Sequence, residues 1–406
     1  MVARFCVILF LFIKLIFWYL VLLFTPKKSK SILLMPCFDE FGGTRTYFFY
    51  LVEFLSKKGY SIVAMLKKNQ CDQDVMALQA QYPFTIEEIN FELYKSSFAG
   101  TVFYKKNQED FIYQLKELLY FWKYVRKYRC ATVVSSVDNP ELLVFLFLTP
   151  VKVFYILHTI ATQPLDDLKK KVLNWSLSKK KKVITVSNSA KEHLLVNWTK
   201  GLHREFITVV YNYYQPGLKN IEAGTASVKK IVTIGTVAHY KNPFFWITVC
   251  KEVLLKYPKD AIEFLWAGDG ELLTACAALV KDIPQIKFIG YQKNTEQLYV
   301  DCTIYFQPSI LESHGIAVLG AMFFEKPCVV SNRQGLPESV INNVTGVVVP
   351  VENPHDAANA ILLLLNDPGK AHEFGRAGKV RVEANFSKHK WEDEMNALFK
   401  LTANKK

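Results

Sequence analysis

The chain has 406 residues, half of them apolar and 21% charged, which is too long for one ordinary domain and rich enough to bury sizeable cores. That balance excludes a disordered, collagenous or small disulfide-stapled protein. The 50 Lys and Arg against 37 Asp and Glu favour anionic partners, whether phosphates, nucleic acid or acidic lipid, without choosing among them.

The first element is an apolar run from Phe5 to Phe24, interrupted only by Lys14. Its length suits a membrane span. A mid-bilayer lysine costs roughly 2.5–3.5 kcal/mol, which surrounding Leu, Ile and Phe can offset at roughly 0.3–0.6 kcal/mol each. No small-residue cleavage site follows, so residues 1–26 are expected to be a retained anchor. Lys27, Lys28 and Lys30 after the run, against Arg4 before it, place the soluble part in the cytoplasm. The other reading is a helix lying in the membrane surface, with Lys14 snorkelling. Both predict membrane association.

From Ser31 the chain alternates strands and helices. Ile32–Met35, Ser61–Met65, Thr132–Val137, Val151–Leu157, Val183–Val186 and Ile207–Tyr211 are short, β-branched or aromatic, and bounded by turns. Amphipathic stretches such as Thr44–Lys57, Asp110–Lys127 and Ser189–Trp198 lie between them. This pattern predicts a parallel sheet covered by helices over residues 27–215. A polar stretch with Pro216, Gly217, Gly224 and Ser227 marks a linker at 216–229. The alternation then restarts with Lys230–Val237, Ile262–Trp266, Lys287–Ile289, Thr303–Phe306, Cys328–Val330 and Gly346–Val349, giving a second α/β domain over 230–386. Two such domains imply a cleft at strand carboxyl ends. Residues 387–406 form a final helix.

The eight cysteines (Cys6, Cys37, Cys71, Cys130, Cys250, Cys276, Cys302 and Cys328) form no Cys-x-x-Cys pair. Most sit in apolar runs, as reduced thiols without a disulfide framework or structural zinc. The runs Lys169–Lys171 and Lys179–Lys182 read as solvated faces or as contacts to anionic lipid. Nucleic acid is disfavoured because no reading motif accompanies the charge.

The most informative segment runs from Gln307 to Met322. A buried strand enters a tight turn holding Glu312, and a helix opens near Ser313 or His314. Amides at that helix start, freed by Gly315 for close approach, can bind a phosphate. Taken alone, Glu312 is equally a carboxylate satisfying helix-start amides, His158 a core histidine, Lys241 a surface lysine and Gly42-Gly43 a turn.

Together these segments resemble the donor-binding signature of glycosyltransferase family 4, whose GT-B fold sets two Rossmann-like domains across a cleft. Gly42-Gly43 after the first strand, Val183–Ser189, Val210-Tyr211-Asn212, Gly235 to Lys241, Ala267–Gly270, Phe288–Gly290 and Gly335–Gly346 follow in the family's order. The resemblance implies a retaining, metal-independent transfer of a sugar from a nucleoside-diphosphate donor to a glycan or lipid-linked acceptor, with no further cofactor. It implies that Lys241 neutralises the diphosphate and that amides around Ser313, His314, Gly315 and Ile316 hold the distal phosphate. Glu312 would contact the sugar, His158 would stand at the sugar end, and Gly42, Gly43 and Gly235 would let backbone approach the donor. It also suggests that the final helix packs back across the domain boundary.

Two positions depart from the family pattern. Gly320 stands where the family has a second, ribose-gripping glutamate, and Thr236 where it commonly has arginine. Losing one charged hydrogen bond costs about 1.5–3 kcal/mol of affinity. These departures support an alternative reading, a catalytically impaired relative that binds glycans or scaffolds a complex at the membrane. A nicotinamide oxidoreductase is disfavoured, because the first strand leads into Asp39-Glu40-Phe41-Gly42-Gly43 and not Gly-x-Gly-x-x-Gly.

Overall fold

The computed structural model describes residues 2–36, 38, 42–89, 108–136, 146–217 and 228–400. Its chain forms two compact units. The first takes in the described residues of Met1–Thr185 and Lys191–Val209, the second those of Val186–Ala190 and Val210–Ala403. Expectations for Cys37, Val137, residues 39–41 and most of the linker fall outside the described residues.

The first unit is built on seven strands: β1 (Lys28–Met35), β2 (Ser61–Lys67), β3 (Thr85–Ile89), β4 (Cys130–Ser135), β5 (Lys152–Leu157), β6 (Lys181–Thr185) and β7 (Ile207–Val209). Their order is β3-β2-β1-β4-β5-β6-β7, with every neighbouring pair parallel. Leu33 is central, beside Val63 on one side and Val133 on the other. The helices are α1 (Val2–Phe24), α2 (Gly43–Lys57), α3 (Gln73–Gln81), α4 (Gln108–Lys127) and α5 (Asp167–Ser176), together with α6 (Asn188–Leu194), whose residues 188–190 count with the second unit. Consecutive buried residues in β1 and β5 reflect a parallel sheet covered on both faces.

Three sequence expectations change here. The strand β3 was not foreseen, because Thr-Ile-Glu-Glu-Ile carries two carboxylates. It is an edge strand pairing with β2, and Glu87 meets Lys127 and Tyr128. The run Lys179–Lys182 is not a uniformly solvated face: Lys181 and Lys182 open β6. The Lys181 ammonium donates to the carbonyls of Phe147 and Thr149, and burial lowers its pKa to about 8.

The third correction concerns the anchor. Among the described residues no helix is long and apolar enough to cross a membrane. The helix α1 does form, but Leu22 lies in the first unit's core with Leu15 and Trp18 packed against it. Tyr19 meets Trp122 of α4 with ring centroids 6.2 Å apart. The expected span is replaced by a helix with one stripe committed to protein.

The second unit has six strands: β8 (Lys229–Ile234), β9 (Ile262–Ala267), β10 (Ile286–Phe288), β11 (Ile304–Gln307), β12 (Cys328–Ser331) and β13 (Gly346–Val349). They are parallel throughout, in the order β10-β9-β8-β11-β12-β13. Eight helices accompany them: α7 (Pro243–Lys256), α8 (Leu273–Leu279), α9 (Thr295–Asp301), α10 (Ile316–Phe323), α11 (Leu336–Ser339), α12 (Pro354–Asn366), α13 (Pro368–Asn385) and α14 (Lys388–Lys400).

Strand alternation feeds two cores. Ile231, Phe264, Trp266, Ile304 and Phe306 point to one face with Trp246 and Ile361. Val232, Leu265 and Tyr305 point to the other with Tyr299, Val318 and Met322. The final helix packs Trp391 against Tyr213, both in this unit. Among the described thiols Cys71, Cys130, Cys250, Cys276, Cys302 and Cys328 are free, and all but Cys71 are buried.

Candidate functional site

The strand order of the second unit has a reversal. From β8 the chain moves outward through β9 and β10, then returns to place β11 on the other side of β8. Loops leaving the carboxyl ends of two such strands diverge and leave a crevice between them. After β8 come Gly235, Thr236 and the turn His239–Lys241; after β11 come Pro308 to Gly315 and then α10.

Backbone bonds hold these loops together. The carbonyl of Tyr240 accepts from the amides of Ile310 (2.8 Å) and Leu311 (3.2 Å). This brings the Lys241 ammonium onto the Glu312 carboxylate, an ion pair with both side chains only 14% exposed. Burial works against charge on Lys241, but Glu312 and Tyr240 outweigh it, and the lysine pKa lies above its ordinary value. Gly235 is beside this lysine: a Cβ there would lie 3.5 Å from Lys241 Cε. Thr236 is exposed in the same loop.

A buried polar chain runs to Glu312 from beneath. Tyr305 Oη donates to Gln307 Oε1 (2.7 Å), Gln307 Nε2 donates to Ser309 Oγ (2.8 Å), and Ser309 Oγ lies 3.4 Å from Glu312 Oε2. The loop is also tied from the next strand, where Ser331 Oγ bonds the Ser309 carbonyl at 2.5 Å. Such a network fixes a carboxylate by satisfied buried partners. Gln307 and Ser309 carried no sequence signal for this, because hydroxyls and amides beside a strand end are common.

Gly315 caps α10 in the left-handed region at φ 83°, and a Cβ there would approach Leu336 Cδ2 to 3.2 Å. Ser313 and Ile316 flank the turn and are partly exposed, whereas His314 is 1% exposed. Neither ring nitrogen of His314 has a hydrogen-bond partner. Burial, with a smaller contribution from Arg381, lowers its pKa to about 3. The His314 side chain therefore belongs to the core, and only its backbone can serve a ligand.

Gly320 faces away from open space. A Cβ at this position would stand 2.7 Å from the ring and hydroxyl of Tyr299, whose Oη donates to the Ala317 carbonyl at 3.0 Å. Tyr299 of α9 fills the volume that a side chain at 320 would need. The sequence reading singled out Gly320 and missed Tyr299, since nothing local in the sequence pairs them.

Glu338, in the Gly335–Glu338 motif, accepts from the amides of Asn188 (2.8 Å) and Ser189 (2.6 Å) and from Tyr211 Oη (2.7 Å). Burial, then this carboxylate, raises the Tyr211 pKa. Three donors aimed at one carboxylate make Glu338 structural, and Asn188 Nδ2 braces Tyr211 Oη at 2.6 Å.

In the first unit, Gly42 caps α2 at φ 121° and is exposed, as is Gly43. His158 follows β5 with its ring edge-on to Tyr47, centroids 4.5 Å apart, and burial lowers its pKa to about 4. The second unit thus gathers Gly235, Thr236, Lys241, Glu312, Ser313, Gly315 and Ile316 around one crevice. Gly42, Gly43 and His158 belong to the first. Among the described residues no group of three or more His, Cys, Asp or Glu side chains is placed to hold a metal ion.

A buried-edge lysine, an adjacent carboxylate and the amino end of a helix at a strand-order reversal can hold an anionic group with attached hydroxyls. Two parallel Rossmann-type sheets with this loop arrangement define the GT-B-like class of fold. Residues 219–381 match the model of the family of glycosyl transferases group 1. It is 25% identical over 228 residues to the N-acetyl-alpha-D-glucosaminyl L-malate synthase of Bacillus anthracis, covering 52% of this chain and 58% of that protein. The chain spans about half the length of the curated relatives it matches. A glycosyltransferase of Rickettsia africae ESF-5 superposes with TM-score 0.74 at 18% identity, over 92% of this chain and 99% of that one. Anabaena Alr3699/HepE, solved in complex with UDP and glucose, superposes with TM-score 0.70 at 16% identity, over 92% and 100%.

Proposed function

We propose that the chain is a retaining, metal-independent glycosyltransferase that moves a sugar from a nucleoside-diphosphate donor to a glycan or lipid-linked acceptor. The observation that carries this reading is the Lys241–Glu312 pair at the crevice between the β8 and β11 loops, beside the free amino end of α10. The family match and the UDP and glucose held by Anabaena Alr3699/HepE support it. With the donor bound, Lys241 faces the diphosphate, amides at Gly315 and Ile316 face the distal phosphate, and Glu312 turns from the lysine to the sugar hydroxyls. Fixed amides, a helix dipole and one lysine then stabilise the departing charge without reorganisation. The acceptor oxygen bonds the anomeric carbon on the face from which the phosphate oxygen leaves, and the acceptor proton passes to that phosphate.

The test is turnover of a nucleotide-sugar panel by the full chain, with and without chelator. Glu312→Ala and Lys241→Ala are expected to lower kcat by about 10²–10³ each while the far-ultraviolet spectrum is retained. Wild-type turnover in both variants would sink the site assignment. A second reading rests on Tyr299 occupying the volume beside Gly320: a catalytically impaired relative that binds glycans or scaffolds a complex. Absence of donor binding by saturation-transfer NMR, together with no transfer to any acceptor offered, would favour it.

A further inference from the structure

From Phe10 to Phe24 the helix α1 is apolar apart from Lys14, yet only one stripe of this stretch is covered. Leu11 and Leu22 are buried, and Leu15 and Trp18 pack on the first unit's core, at the i, i+4, i+7, i+11 spacing of one helix face. Ile13, Ile16, Phe17, Leu20, Leu23 and Phe24 occupy the rest of the circumference, each at least 47% exposed. A contiguous apolar surface of this kind on a folded chain marks an interaction site. Lys14 is the charge within it, and its ammonium lies 4.4 Å from the Phe10 ring centre.

Beside the carboxyl end of α1 a cleft of about 640 Å³ opens next to Trp18, Thr25 and Pro26, and Lys123, Arg126, Lys127 and Arg129 also line it. Lys127 pairs with Glu87. Lys123, Arg126 and Arg129 have no ion pair among the described residues, and Arg126 stacks over the Trp18 ring at 5.3 Å. The apolar surface therefore ends at a cleft lined by four basic side chains, whose charge suits an anionic headgroup.

We infer that α1 and this cleft form a peripheral membrane-docking face, with α1 lying in the plane of an anionic bilayer and lipid phosphates seated among Lys123, Arg126, Lys127 and Arg129. An in-plane helix needs one face in the acyl boundary and the other kept polar. Here the protein body takes the place of the polar face, so this stretch can be apolar apart from Lys14. Lys14 reaches the headgroups by snorkelling. A second copy of the chain is a poorer occupant, because joining two α1 faces would bring two basic clefts together. This face lies in the first unit and rests on none of the residues assigned to donor chemistry.

The test is flotation of the full chain with phosphatidylcholine vesicles, with and without added phosphatidylglycerol, followed by alkaline carbonate extraction. The wild type is expected to float preferentially with anionic vesicles and to be released by carbonate. Lys123→Gln/Lys127→Gln should lower partition onto anionic vesicles by about 25-fold, about fivefold per cation, and leave neutral vesicles little changed. Ile16→Glu/Leu20→Glu should abolish flotation on both. Nucleoside-diphosphate binding should be unchanged in all variants, which separates failure here from failure of the donor site. Equal partition onto neutral and anionic vesicles, retention after carbonate, or a dimer that does not float would each overturn the inference.

Discussion

His314 sits where the chain turns from β11 into α10, with its ring between Tyr211 and Phe386 at centroid distances of 4.9 and 4.8 Å. It is neutral in the fold because burial, and then Arg381, oppose its proton. In the unfolded chain it titrates near the ordinary value of about 6.5. The folded pKa is thus depressed, so the native state is fully favoured above pH about 6.5 and loses stability as pH falls toward 3. The slope approaches about 1.4 kcal/mol per pH unit, or about 2 kcal/mol between pH 6.5 and 5. His314→Phe keeps an aromatic ring and removes the titration. Its melting temperature should fall less than that of the wild type between pH 7.5 and 5, by calorimetry of both proteins. Parallel curves would show that His314 is not the proton-linked group.

At the scale of elements, α9 and α10 form one packed unit through Tyr299 and Gly320. The departure at 320, read alone, suggests a lost ligand contact that a glutamate would restore. The packing points the other way, since Tyr299 occupies the space at 2.7 Å. Gly320→Glu alone should destabilise the second unit by about 3 kcal/mol or more, combining overpacking with a buried carboxylate. Tyr299→Ala/Gly320→Glu should recover part of that loss, as read by denaturant midpoints in a double-mutant cycle. Simple additivity would refute the steric coupling. This is also where the sequence stopped being legible. Strands β8, β9, β11 and β12 were readable because buried β-branched and aromatic runs have few alternatives. Edge strand β3, with Glu87 and Glu88, carried no such signature. The lysines of β6 looked solvated until carbonyls of Phe147 and Thr149 were seen to receive one of them. The turn at Glu312 and Gly315 was legible because its strand–turn–helix pattern is local in sequence, whereas Lys241 joins Glu312 only through packing of two loops. Tyr299, Gln307 and the covered stripe of α1 were not legible, since each depends on a neighbour supplied by tertiary packing.

At the scale of the whole molecule, the two sheets have separate hydrophobic cores, one around Leu33, Val133 and Tyr155 and the others around Trp266 and Tyr305. Ligand that binds only the native state of one unit stabilises that unit by mass action, about 2.7 kcal/mol at a hundredfold excess over Kd. The residues gathered at the β8 and β11 loops belong to the second unit, so a nucleoside diphosphate should act there first. Hydrogen exchange, read peptide by peptide by mass spectrometry, should show slower exchange in β8, β11 and α10 at saturating nucleotide. Peptides from β2, β4 and β6 should be unchanged, because no group assigned to phosphate lies on them. Equal protection of both units by the nucleotide alone would instead mean that Lys241 and the α10 amino end do not account for where the donor binds.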